Sequence, residues 1–369
     1  MSSYEYNHAM ARAKTSGHIF GVTWDGSSST SLTRTDDAVD FPDPVPYVSG
    51  ATSYSSPFDD IMPWSGMVKV EDSQAGTLVE IPKFWYKLTK NGNALSIQIA
   101  NYEADGFSCS PAHMDRGDGA GERDVVYIGR YLCNSSYKSL TGQRPNSQET
   151  RATARSNIHN VKSTVWQMDF AMWFTICLLY LVEFADWNSQ AKIGYGSGDD
   201  SSKNTGLSDN MPYHTGTPYT SRTTYGSGIQ YRWIESLWDN YTYFLDGCYI
   251  YQGNLYLILN PSSFSEDSNG VNVGTPKNGT YYPTGLTVNN NAIFPIFYPS
   301  ASGGSDSTYI PDIFYIAGSD SNSYWYIYTG GLYEQAYWTK QQFGLFFIQV
   351  THANSQDYGL TGCRLMKLP

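Results

Sequence analysis

The chain has 369 residues, carries 23 Lys and Arg against 34 Asp and Glu for a formal net charge of −11, and is only 15% charged, against roughly 25% in an average soluble domain. Aromatic residues also reach 15%, with 31 Tyr, 16 Phe and 10 Trp, and hydrophobic residues make up 40%. An acidic chain without a Lys/Arg cluster lacks the electrostatic footprint of a nucleic-acid binder, and this apolar content can bury a sizeable core, which excludes a disordered chain.

The N-terminal MSSYEYNHAMARAK has no apolar signal core, and Tyr4 to Lys14 read as a short helix. His18 to Trp24 (HIFGVTW) read as a strand closed by the Asp25-Gly26 turn. A Pro-punctuated connection, Asp40 to Gly50, then sets residues 1–50 apart from 51–369. From Met67 the texture is short strands: MVKV, then TLVEIPKFWYKLT, the Asn91-Gly92 hairpin signal, and ALSIQIA. VVYIGRYLC after Asp124 is another strand.

Thr164 to Trp187 predict one long helix, with Trp166, Phe170, Trp173, Phe174, Cys177, Leu178, Leu181 and Phe184 at helical spacing. It is apolar over more than one face and belongs in a core. Its longest apolar run, Phe170 to Val182, falls short of the roughly 20 residues of a bilayer helix, so no membrane insertion is expected. Gln190 to Gly228, rich in Gly, Ser, Thr and Asn, reads as a surface insertion. From Ile229 short aromatic strands alternate with turns, ending in core strands at Phe346–Val350 and Arg364–Leu368. The class is α+β with a strand majority.

Cys109, Cys133, Cys177, Cys248 and Cys363 form no CxxC pair, so neither a zinc site nor a disulfide framework is expected, and folding in a reducing cytosol is. G-x-S-x-G, phosphate-loop, G-x-G-x-x-G and H-E-x-x-H motifs are absent, and the six histidines are isolated. Asp115, Asp118, Glu122 and Asp124 surround Gly117, Gly119 and Gly121, an oxygen-rich loop of the kind that can wrap calcium. The EF-hand spacing is missing, however, and Arg116 and Arg123 offset the charge. A salt-bridged, solvated turn is the plainer reading, and no catalytic residue, metal or cofactor is assigned.

The richest segment is Ser319 to Tyr358, where Tyr and Trp are interleaved with Ser, Asn, Thr, Gln and Gly. Tyr and Trp give rigid amphipathic area at low entropic cost, and the small polar residues give adaptable hydrogen bonds. A strand buries only alternate residues on one face, so in Tyr324-Trp325-Tyr326 at least one ring is expected outward. The candidate contacts are Tyr324, Trp325, Tyr326, Tyr328, Tyr333, Glu334, Gln335, Tyr337, Trp338, Gln341, Gln342, Gln349, His352, Asn354, Gln356, Asp357 and Tyr358.

Two pieces carry a resemblance. Gln230-Tyr231-Arg232-Trp233-Ile234-Glu235-Ser236-Leu237-Trp238-Asp239-Asn240, followed by Asp246-Gly247, resembles a signature of phage tail proteins. It is also similar to a motif of formylglycine-generating-enzyme-like domains, a branch of the C-type lectin fold. The ending Phe343 to Phe347 and Gly359 to Leu365 is similar to the pattern closing the variable proteins of diversity-generating retroelements, which share that fold. Phe20–Gly26, Ser56–Gly66 and Ile81–Lys87 look like segments of gut-phage tail proteins.

The resemblance implies a non-enzymatic receptor-binding protein of a phage tail fibre, made in the host cytoplasm and working on the virion. It implies a homotrimer that contacts other tail proteins and binds a bacterial surface protein or glycan through a hypervariable surface at about 319–358. Residues 1–50 become a tail-attachment or oligomerisation segment. A polysaccharide-degrading tail enzyme and a purely structural tail component are the alternatives. Oxidase activity is not implied, since Cys248 and Cys363 are single, and the sugar-binding E-P-N, Q-P-D and W-N-D motifs are absent. Arg232, Glu235, Trp238, Asp239 and Arg364 lie in the two motifs. Charged groups in such apolar surroundings are normally paired, so a polar network bracing the display surface is expected there.

Overall fold

A computed structural model describes residues 17–47, 53–195, 203–215, 228–316, 322–331, 343–352 and 361–369, the side chains of 351 and 352 excepted. Strand outweighs helix threefold, 37% against 12%, as the strand-majority α+β reading expects.

Alternation builds the first sheet. In Ala94–Ala100 the inward positions are Leu95, Ile97 and Ile99, all sealed from solvent. This strand pairs antiparallel with Trp85–Asn91 across a tight turn in which Gly92 has φ +58°, a left-handed conformation that suits glycine. On its other side lies Ile19–Trp24, itself paired with Thr33–Asp36. Ser108–Cys109 completes the sheet beyond Trp85. Residues 17–47 therefore share a sheet with the rest of the chain, and Trp24 meets Trp187 edge-on at 5.7 Å. The boundary expected at 40–50 does not divide the core. The helix expected at Tyr4–Lys14 lies outside the described residues.

A second antiparallel sheet runs Lys69–Asp72, Gly76–Pro82, Val125–Gly129, Leu365–Lys367 and Val165–Gln167, so the chain's last strand closes between elements distant in sequence. The third sheet is a curled half-barrel. Its order is Val271–Gly274, Asn254–Leu257, Thr242–Tyr251, Tyr324–Gly330, Ile348–His352, Phe314–Ile316 and Gly279–Tyr281, with Thr361–Gly362 parallel to the start of Thr242–Tyr251. A separate hairpin, Pro283–Asn289 with Ile296–Ser302, stands beside it.

Helix α1 (Arg151–Val161) is capped by the Thr150 side chain, which accepts from the Thr153 amide. Helix α2 (Phe170–Phe184) is capped by Asp169, which accepts from the Met172 amide, and ends at Ala185 in a left-handed conformation. Every residue of α2 is buried, as the all-round apolar pattern requires. It is shorter than the expected Thr164–Trp187 because Val165–Gln167 is extended against Leu365–Lys367, and helical geometry begins only after the Asp169 cap. The short α3 (Ser189–Lys192) follows.

The stretch Gln190 to Gly228 is not simply a surface insertion: within 203–215, Thr205, Ser208, His214 and Thr215 are buried. Trp64 and Trp238 are sealed inside and satisfy their indole N–H groups on the carbonyls of Leu179 (3.1 Å) and Gly194 (3.0 Å). Each such ring contributes about 1.5–3 kcal/mol by burial. All five cysteines are free thiols. Among the described residues no helix is long and apolar enough to cross a membrane.

Candidate functional site

The strand Tyr324–Gly330 lies between Thr242–Tyr251 and Ile348–His352 in the curled sheet. Register places Tyr251 opposite Tyr324, and Tyr249 opposite Tyr256. Directly opposed rings on adjacent strands are in reach of one another, and both pairs stack. Tyr251 and Tyr324 have centroids 4.4 Å apart at 14°, and Tyr249 and Tyr256 are 5.0 Å apart at 10°. Tyr249 meets Tyr324 edge-on at 5.6 Å, so the four rings form one cluster.

Tyr249 is buried at its base, whereas Tyr251, Tyr256 and Tyr324 are half-exposed. The two-residue turn Gln252-Gly253, with φ +48° and +76°, reverses the chain beside them. Its Gln252 Nε2 donates to Asn322 Oδ1 at 2.8 Å, and Asn254 Oδ1 accepts from Thr275 Oγ1 at 2.7 Å. Desolvation raises the Tyr324 and Tyr249 phenols above their ordinary value, with neighbouring tyrosines adding to it. The patch therefore presents neutral hydroxyls, rings and amides at physiological pH.

The remaining expected contacts divide. Trp325 and Gln349 are half-exposed, and the His352 backbone pairs with Trp325. Tyr326 and Tyr328 are buried, at 4% and 2% exposure, and are withdrawn as ligand contacts. The strand alternates as expected, but both of its faces are covered. Tyr326 and Tyr328 pack with Phe244 in one cluster, while Ile327 faces the main core. Tyr333, Glu334, Gln335, Tyr337, Trp338, Gln341, Gln342, Asn354, Gln356, Asp357 and Tyr358 lie outside the described residues.

Beside the patch, over the Tyr326 ring two residues along the same strand, is an ion cluster that reasoning from sequence missed. Arg151, on the buried stripe of α1, donates to the carbonyls of Leu245 (3.2 Å) and Cys248 (2.6 Å) and to Glu266 (3.0 Å). Arg155, one turn on, grips both Asp246 oxygens at 2.6 Å and Glu266 at 2.5 Å. Burial alone would lower the Arg155 pKa, but Asp246 and Glu266 raise it above the ordinary arginine value. The bulge between Leu245 and Ile250 is thereby pinned. The available signal was Arg151 and Arg155 at i, i+4, a spacing that puts both on one helix face.

The expected bracing residues are all buried, but they work in more than one way. Arg232 pairs with Glu183 of α2 and with Asp59 at 3.0 Å. Burial opposes ionisation of Glu183, yet Arg232 and His214 hold its carboxyl well below the usual range. Among the described residues Glu235 forms no salt bridge. Its carboxylate instead accepts from the amides of Gly206 (2.7 Å) and Ser208 (2.9 Å) and from the Ser208 hydroxyl (2.5 Å).

Arg364 corrects the expectation of ion pairing too. Among the described residues its charge is met by four carbonyls: Gly129 (2.7 Å), Arg130 (3.1 Å), Glu235 (2.6 Å) and Ser236 (2.9 Å). It ties the second sheet to the Gln230–Tyr231/Ile234–Glu235 hairpin, and Tyr243 lies 5.2 Å away across its guanidinium. Trp238 fills core, and Asp239 sits buried in the following turn with φ +96°.

The acidic loop is internally satisfied. Asp115 accepts from the Gly117 amide (2.8 Å), and Asp118 accepts from Ala120 (3.2 Å) and pairs with Arg123. Lys83 takes Asp124 at 2.9 Å and Glu122 at 3.6 Å. Arg116 turns inward to Asp169 at the head of α2. No cluster of three or more metal-ligating side chains occurs among the described residues.

No protein-family model matches the chain, and no match to a curated protein was found.

Proposed function

We propose that this chain is a non-enzymatic receptor-binding protein of a phage tail, with a C-type lectin fold of the formylglycine-generating-enzyme-like branch. It grips a bacterial surface protein or glycan through the tyrosine cluster and the loops that flank it. The observation that carries the reading is the packing of Tyr324 on Tyr251 and Tyr249. Tyr251 and Tyr324 are held half-exposed on the buried Tyr249, on a sheet whose neighbouring Tyr326 is covered by Arg151. Rigid aromatic area with adaptable amides at its rim suits recognition. A trimer on a fibre would multiply weak contacts into useful avidity.

The test is to incubate purified protein with intact host cells and with polysaccharide extracted from them. Saturable attachment with no release of reducing sugar is expected. Reducing-end release that grows with time would replace the reading with a degrading enzyme. Absence of attachment would leave a structural tail component.

A further inference from the structure

A second row of rings lies elsewhere on the chain. Tyr47 and Tyr54 are 6.2 Å apart, Tyr54 and Tyr213 5.7 Å, and Tyr213 and Trp233 6.0 Å, all steeply inclined to one another. Tyr54 is 47% exposed, and the other three are half-exposed. The row is assembled from three separate segments. Val45 and Ser55 exchange backbone hydrogen bonds, and Tyr47 donates to the His214 carbonyl (2.9 Å). Trp233 enters through the turn of the Gln230–Tyr231/Ile234–Glu235 hairpin.

That turn is the telling feature. Its two central residues, Arg232 and Trp233, have φ +45° and +71°, where Asn and Gly are the usual occupants and a bulky side chain is strained. Arg232 is accounted for by its buried pairing with Glu183 and Asp59. Trp233 is not required by the turn; one part of its ring packs against the main core and the rest is exposed beside Tyr213, with the Lys69 ammonium 4.4 Å from the ring. Backbone strain retained for an aromatic ring that stays partly exposed marks a functional position.

We propose that Tyr47, Tyr54, Tyr213 and Trp233 form a binding surface for a neutral oligosaccharide. The charge on the surface selects that class. Arg232 is shared between Glu183 and Asp59, Asp59 also accepts from the Tyr213 hydroxyl, and the Lys69 ammonium drawn over Trp233 supplies the second positive charge. On a chain of net charge −11, this strip offers ring faces and hydroxyls with little local field, which suits a polyhydroxylated ligand better than a basic peptide or an anion. None of its residues belongs to the Tyr324 cluster, and the proposal stands independently of the function proposed above.

Maltohexaose, cellohexaose and mannohexaose are titrated separately to about 10 mM, the range of weak carbohydrate affinities, while tryptophan fluorescence and tyrosine ring resonances are followed. At least one is expected to give a saturable response at Trp233 and Tyr54. Trp233→Gly is expected to weaken that response by about tenfold or more while shifting the melting temperature by less than about 3 °C, because glycine takes the turn without strain. Tyr54→Ala, at an exposed position, should weaken it likewise, and Tyr324→Ala should leave it unchanged. No saturable response to any of the three sugars overturns the proposal. So does a response indifferent to Trp233→Gly and Tyr54→Ala, or self-association that those substitutions abolish.

Discussion

The guanidinium carbon of Arg151 lies 4.2 Å from the centre of the Tyr326 ring, and the same guanidinium reaches the Leu245 and Cys248 carbonyls on the neighbouring strand. One buried cation thus fixes a helix, a bulged strand and the ring next but one to Tyr324.

Arg151→Met should therefore destabilise the protein by about 3 kcal/mol or more, since Glu266 and Asp246 would lose a buried partner. Chemical denaturation of variant and wild type measures this. An unchanged midpoint would show that Arg155 alone holds the two carboxylates.

Arg364→Ala removes a charged donor from four core carbonyls, of which only that of Arg130 is shown to keep another, the Glu235 amide at 2.9 Å. A loss of about 3 kcal/mol or more is expected, with a correspondingly lower melting temperature. The surface around Tyr324 stays chemically the same. Equal melting temperatures would contradict the bracing role.

Asp312 is buried, accepts from the Gly344 and Phe346 amides at 2.8 Å each, and among the described residues makes no ion pair. Burial pushes its carboxyl up to about 7, although the two amides pull it down. Its folded pKa lies above the unfolded value, so its contribution to stability is fully present below about pH 4 and is lost as pH rises to about 7. The difference in unfolding free energy between wild type and Asp312→Asn should decline over that window by about 4 kcal/mol. Parallel pH profiles for the two proteins would refute it.

At the start of the same segment, a Cβ on Gly344 would stand 2.5 Å from Asp312 Oδ1 and 2.6 Å from Ser189 Oγ. Gly344→Ala should accordingly destabilise by about 1–3 kcal/mol through overpacking. A thermal melt decides the matter, and a variant as stable as wild type would mean the contact yields freely.

The acidic loop yields a metal prediction. Asp118, Glu122 and Asp124 are already engaged by Arg123 and Lys83. Melting temperatures in excess calcium and in EDTA should agree within about 1 °C, because a ligand that does not bind the native state cannot stabilise it. A calcium-dependent rise would restore the loop as a site.

What could be read from the sequence followed from period and turn chemistry. The strands at Ile19–Trp24 and Ala94–Ala100, the hairpin at Gly92 and the buried α2 all declare themselves in local pattern. Helix α1 does not, because its buried stripe is Arg151, Ala154 and Ile158. An arginine in that stripe makes sense only beside Asp246 and Glu266, about a hundred residues later. Tyr326 and Tyr328 were candidate contacts on the composition of their segment; alternation requires some of its rings to be buried but is silent on whether a second layer covers the other face. The tyrosine cluster draws two rings from Tyr249–Tyr251 and one from Tyr256, outside the segment 319–358 that composition singled out. The available signal was Tyr249 and Tyr251 at period two and Tyr256 in register with Tyr249 across the Gln252-Gly253 turn.

The central claim is that the Tyr324 cluster holds a bacterial surface ligand. The most direct measurement is attachment of wild type and of the Tyr251→Ala/Tyr324→Ala double variant to intact host cells, with the fold of each verified by circular dichroism. A folded double variant that attaches at least about tenfold more weakly is the expected result; full attachment by the folded variant would contradict the account.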